Sequence, residues 1–256
     1  MSSVLKKGRV QTDSDFVNTD LTAQRREYFF EMPFVRRILT PFLRNPKDIV
    51  LVLTYSNVLL FLLPVSALVF WICSTRALGP YTHLVKYFYW CYYLIPFGEP
   101  YILAMHYSSH RPIFGAPLTW LNSVVHNFLG PFFGIPGCLY TLHHVVMHHT
   151  ENNHGLDLSS TEPYQRDSVL GLLCYVLRFV LLTPIELFLY AIKTKRSDWI
   201  WTFVLGVGTY VAFVIVLSCH VSFEATLAVF LGPYLVTMTA LAVGNFSQHI
   251  FIDPRR

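Results

Sequence analysis

Residues 143–154 read His143-His144-Val145-Val146-Met147-His148-His149-Thr150-Glu151-Asn152-Asn153-His154, so five of the chain's eleven histidines fall within twelve residues. Imidazole nitrogen is a common ligand for iron, zinc and copper, and one metal needs several ligands within a short reach. On an α-helix, His144 and His148 lie about 40° apart around the axis and His149 roughly 140° from His144. Such an arc could face one or two metals beside the helix. The bland alternative is a surface histidine cluster that senses pH or binds metal adventitiously.

Two further groups share this chemistry. His106-Tyr107-Ser108-Ser109-His110 is an HxxxH pair, which a helix presents on one face. Alone it is a weak signal. Gly244-Asn245-Phe246-Ser247-Gln248-His249 places Asn245 and His249 four apart. An amide or a histidine there could simply cap a helix. The specific feature is all three groups lying at helix ends that the topology can bring to one side.

Composition says which elements do the positioning. The 256 residues are 54% hydrophobic and only 13% charged, with a mean hydropathy of +0.45. Soluble domains carry about 25% charged residues, so this is an integral membrane protein. The net charge of +4 is small for a nucleic-acid binder. No nucleic-acid partner is expected. The five cysteines, at 73, 91, 138, 174 and 219, form no CxxC pair and sit mostly in apolar runs. Neither a cleavable signal peptide nor a myristoylation start is present at the Met-Ser-Ser terminus.

Residues 1–48 read as a cytoplasmic N-terminal tail with an interfacial piece near Phe29–Phe42, and residues 49–256 as a membrane domain. Residues 49–72 are free of charge and long enough to span. Arg76, Gly79 and Pro80 mark a turn, and residues 81–104 form an aromatic second span that carries Lys86 and Glu99. Residues 117–140, broken by Gly130, Pro131, Gly134, Pro136 and Gly137, read as membrane-embedded or interfacial. Residues 169–192 contain Arg178, Pro184 and Glu186 and are placed along the interface. Residues 199–219 and 222–244 are spans. The expected fold is therefore all-α, with four transmembrane helices in two hairpins, interfacial helices and a cytoplasmic histidine cluster. Nearly all lysine and arginine then lies on the histidine side, as the positive-inside rule wants for the cytoplasm.

HxxxH after the second span, HxxxHH (His144, His148, His149) in the following loop and Asn-xxx-His after the fourth span together resemble the membrane fatty acid desaturase and hydroxylase superfamily. The resemblance covers about residues 45–256. It implies two non-haem irons with dioxygen as co-substrate. His106 and His110 would be the first box, and His144, His148 and His149 the second. His249 would be a further ligand, and Asn245 would hold iron directly or through water. His143 is an additional candidate. His154 and Asp157 are candidates for hydrogen-bonding a ligand or for the metal itself. Glu151 and Asn152 could also hydrogen-bond a ligand, and an ordinary loop leading to a helix cap competes as the reading of residues 157–161. His83 and His220 should lie at the opposite face, and His126 is isolated. The family's third box, usually HxxHH, has no counterpart before Arg256. A fragment with its remaining ligands downstream is expected, and a degenerate member is the alternative.

The implied activity is desaturation of a lipid acyl chain. Hydroxylation or ketone formation on a lipid is the close alternative, and a non-catalytic membrane protein is a third. No flavin, nucleotide or haem-domain motif is present, so electrons must come from an external donor. By resemblance this is a b-type cytochrome or a ferredoxin, and the location is the endoplasmic reticulum. A haem cytochrome needs only a pair of axial ligands per haem, and a zinc hydrolase would want HExxH; neither matches.

Overall fold

A computed structural model describes residues 30–249, and the helices below belong to one compact unit, Met32–Arg256. Among the described residues there is no β-strand, only an isolated bridge between Leu43 and Phe114. The molecule is an all-α membrane protein.

The sequence gives a short helix α1 (Pro33–Leu39), inside the expected interfacial piece. It is followed by α2 (Pro46–Thr75), whose first turn is capped by the Asn45 side chain accepting from the Lys47 N–H at 3.0 Å. Helix α2 ends where Arg76 turns left-handed at φ 51°. The chain returns as α3, residues 79–110, antiparallel to α2 over its whole length. Arg111 donates to Asp48 at 2.7 Å, the Tyr55 and Ser108 hydroxyls are 2.8 Å apart, and Ser66 meets Tyr89 at 2.9 Å. Each pairing satisfies a polar group that would otherwise be costly inside an apolar layer.

Residues 117–140 are broken as expected. A helix over residues 121–133 stops at Gly134, which sits at φ +70°; a Cβ there would lie 2.1 Å from the Cα of Tyr234. Only glycine supplies both that conformation and that close approach. Next comes α5, formed by Thr141–His148 and His149–Glu151, with residues 121–133 taken as α4. Helices α6 (Val169–Lys193), α7 (Ser197–His220) and α8 (Phe223–His249) complete the fold. Ser168 caps α6 by accepting from the Gly171 N–H at 3.3 Å.

Among the described residues, four helices are long and apolar enough to cross a membrane: α2, α6, α7 and α8. This set differs from the expected one by a single exchange. The tyrosine-rich α3 drops out on composition, and α6, expected along the interface, enters. Helix α3 is paired with α2 from end to end. Helix α6 keeps both ends beside the histidine-bearing chain. Near its start, the Tyr175 hydroxyl donates to the Ser159 carbonyl at 3.1 Å; near its end, the Tyr190 hydroxyl donates to Glu151 at 2.5 Å. Between them, Phe179 and Val180 pack with Met238 and Ala242 of α8, and Leu187 packs with Leu142 and Met147 of α5.

Candidate metal centre

Helix α3 delivers His106 and His110 to the same end of the molecule as α5. Their rings are 5.0 Å apart, and that of His106 is 4.5 Å from His144. Ligand-type nitrogens of His106, His110 and His144 all lie within 4.8 Å of one another. The Nε2 of His144 is 3.3 Å from Nε2 of His110 and 3.2 Å from Nε2 of His149.

The last contact departs from the α-helical expectation. Residues Thr141–His148 form a π-helix, in which the chain bonds to its fifth neighbour and residues i and i+5 come together on one face. His149 therefore reaches His144 instead of pointing well away from it. Turns of π type inside longer helices are frequent at functional sites.

His148 and His249 form the other side of the group, with rings 5.4 Å apart. The Nδ1–H of His148 donates to Asp157 Oδ2 at 2.7 Å. Asp157 is buried and also accepts from the backbone N–H groups of Asn153 and Ser159, each at 2.8 Å. Burial raises its pKa, but the His148 hydrogen bond and charge and these two N–H groups outweigh that and leave it lowered. With Nδ1 committed to the carboxylate, Nε2 of His148 is the atom available to a metal, a common arrangement for ligating histidines. The buried Nδ1 of His249 has no hydrogen-bond partner among the described residues.

Asn245 uses its amide N–H groups on the Tyr175 hydroxyl at 2.7 Å and the Ser159 carbonyl at 3.0 Å. This leaves Oδ1 as its acceptor. His143 is buried, with Nε2 3.2 Å from the Ser159 hydroxyl and its ring edge-on to Phe179. His154 is not brought to the group; it is exposed and pairs with Glu162 at 3.3 Å, because the chain turns outward at Asn152 and Asn153. Glu151 is engaged by Tyr190, and the Asn152 N–H by the His148 carbonyl at 2.7 Å. Of Glu151, Asn152 and Asp157, it is the Asp157 side chain that reaches an imidazole.

Electrostatics suit metal binding. Burial, and then the neighbouring imidazoles His106, His149, His148 and His110, push the His144 pKa down to about 2. Burial and the charge of His148 bring His143 down to about 4. Burial first, then His110 and His148, lowers His149. These rings are neutral at pH 7, the form that binds metal. Two imidazole nitrogens on one metal at ~2.0–2.1 Å stand roughly 3.0–3.4 Å apart, which the 3.2 and 3.3 Å spacings match. The donor set therefore suits a first-row transition metal bound through imidazole nitrogen, a class that includes iron.

Three residues carried no spacing signal. The Tyr140 hydroxyl is 2.9 Å from Nδ1 of His106, and its ring stacks on His144 at 5.1 Å. Ser159 ties together Asp157, His143, Tyr175 and Asn245. His126, isolated in the sequence, meets Ser108 of the first histidine pair at 3.0 Å. A cavity of about 450 Å³ opens from the histidines between α3 and α8, with walls that are mostly apolar. At its far end the Tyr93 and Thr237 hydroxyls, 2.9 Å apart, join the two helices.

A family model described as fatty acid desaturase matches residues 87–256, about two thirds of the chain, and includes every residue of this group. No curated protein and no solved structure matches the chain.

Proposed function

The chain belongs to the fatty acid desaturase family, and from that premise we propose that it uses dioxygen at a non-haem di-iron centre to introduce a double bond into a lipid acyl chain. The observation that carries the reading is the convergence of histidine nitrogens at one end of an apolar cavity. Iron held there would supply the dioxygen-activating chemistry that no side chain has.

The chain's own residues do the rest. His106, His110, His144 and His149 would hold metal through facing nitrogens, and His148 and His249 would hold it on the other side. Asp157 fixes the His148 ring, and Asn245 would offer Oδ1 to the metal directly or through water. The apolar walls aim the acyl chain along α3 and keep bulk water from the reacting carbon. Removing two hydrogens from the chain supplies two of the four electrons that convert dioxygen to two waters. The other two, with two protons, must come from a donor, for which a b-type cytochrome or a ferredoxin is suited.

In this reading α2 with α3 and α7 with α8 are the two crossing hairpins, and α6 lies along the histidine-bearing face. The proximity of His148 and His249 supports it, since an even number of crossings must separate them. Lys193, Lys195 and Arg196 join the basic residues before α2 on that side, which supports a cytoplasmic face for it in the proposed endoplasmic reticulum membrane protein.

The test is iron content together with product. His148→Ala and His149→Ala should lose iron while the protein still inserts in the membrane. Iron retained at the wild-type level by both variants would overturn the metal assignment. Supplied with lipid, dioxygen and reductant, the loaded protein should form a double bond. A hydroxyl or ketone product would move it to the oxygen-inserting branch of the chemistry.

A further inference from the structure

Glycine inside a helix weakens it relative to alanine, so a helix that carries one generally gains something from the missing side chain. For Gly206 of α7 and Gly232 of α8 the gain is close packing. A Cβ would stand 2.2 Å from the Gly137 carbonyl oxygen in the first case and 2.6 Å from the Trp90 ring nitrogen in the second. Gly244 of α8 has neither that reason nor a backbone one. Its φ is not in the left-handed region, and a Cβ there would meet nothing within 4 Å among the described residues.

What lies at that position is the cavity. Gly244 lines it together with His106, His144 and His148. It precedes Asn245 by one residue and His249 by five, about 7.5 Å along α8, and stands about 10 Å from Thr237 at the far end. The facing wall differs. Gly98 of α3 also lines the cavity, but its Cβ position is already covered by the Leu94 side chain at 3.8 Å. Side-chain-sized room is thus left on the α8 wall, one residue from Asn245.

We propose that Gly244 is a specificity-determining residue, whose missing side chain leaves room for a methyl branch on the acyl chain beside the metal ligands. This rests on the reading of the cavity as a lipid site. A straight chain presents only methylenes there and leaves the room unfilled, whereas a methyl-branched chain fills it. A side chain at position 244 would take the same room, so substitution should act against branched chains and spare straight ones. One carbon too many or too few in an apolar pocket shifts preference by about tenfold or more.

The test uses palmitic acid and phytanic acid, and measures their affinities for the full chain in detergent by native mass spectrometry. The two share a hexadecanoic backbone, and phytanic acid adds a methyl on every fourth carbon, so a branch falls close to Gly244 in any register. Wild type should bind phytanic acid at least as tightly as palmitic acid. Gly244→Val should weaken phytanic acid by about tenfold and leave palmitic acid unaltered. Gly244→Ala, which suits a helix better than glycine, should move the ratio in the same direction by less, and it decides the matter where the valine variant loses iron or its elution profile. A wild type that disfavours phytanic acid, or a ratio of affinities unchanged by substitution, would overturn the Gly244 assignment alone. Failure of both fatty acids to bind wild type would overturn it together with the lipid-cavity reading.

Discussion

Asp157 Oδ2 lies 2.7 Å from Nδ1 of His148 in a buried setting, and the same oxygen takes the Asn153 N–H at 2.8 Å. The carboxylate thus fixes both the tautomer and the angle of the ring. Asp157→Asn keeps the shape but offers a weaker acceptor, or a donor in the wrong place. Iron affinity should fall by about 10- to 100-fold, the usual effect of losing such a partner. Competition against a chelator, with membrane insertion checked in parallel, measures it. Unaltered iron affinity would mean that Asp157 serves only the loop around Asn153.

Tyr140 plays the corresponding part for His106, at 2.9 Å, while stacking on His144. Tyr140→Phe keeps the stack and removes the hydroxyl. A single neutral hydrogen bond is worth about 1 kcal/mol, so iron affinity should drop about fivefold. Tyr140→Ala removes both contacts and should cost more. Iron affinity unchanged in Tyr140→Phe would show that the hydroxyl contributes nothing, and equal losses in the two variants that the stack contributes nothing.

Gly134 tests the packing of the broken segment against α8. An added Cβ would stand 2.1 Å from the Tyr234 Cα at a φ of +70°. Gly134→Ala should destabilise by roughly 3 kcal/mol or more, among the largest single-site effects. Gly155→Ala is the control, since nothing lies within 4 Å of its Cβ position; it should stay within about 0.5 kcal/mol. Thermal unfolding in detergent reads both.

The ligand types and most of the fold are legible in the sequence because they depend on local pattern. Histidine spacing marks His106, His110, His144 and His148, and charge-free runs mark α2, α7 and α8. The approach of His149 to His144 is not legible, because it follows from a π-helix that no spacing rule announces. Tyr140 and Ser159 are equally hidden; a tyrosine in an aromatic-rich chain and a serine in a polar loop carry no signature of the imidazoles they meet. Helix α6 is ambiguous for a different reason. Its composition suits a span, and what favours the interface is a pair of contacts no pattern announces, Tyr175 with Ser159 and Tyr190 with Glu151.

That ambiguity has a decisive experiment. With α6 along the histidine-bearing face, the Lys193–Arg196 turn lies on the same side as residues 143–154, and the turns at residues 76–79 and at Val221 lie opposite. A loop carrying a glycosylation acceptor should therefore be modified when inserted at 76–79 or beside Val221, and left unmodified between Lys193 and Arg196. Were α6 to cross, the Lys193–Arg196 insert would be glycosylated. Helices α7 and α8 would then return the chain to that far side, and His249 could not stand 5.4 Å from His148. A gel shift on three insertion variants thus tests the topology and, through it, the place of His249 at the metal centre.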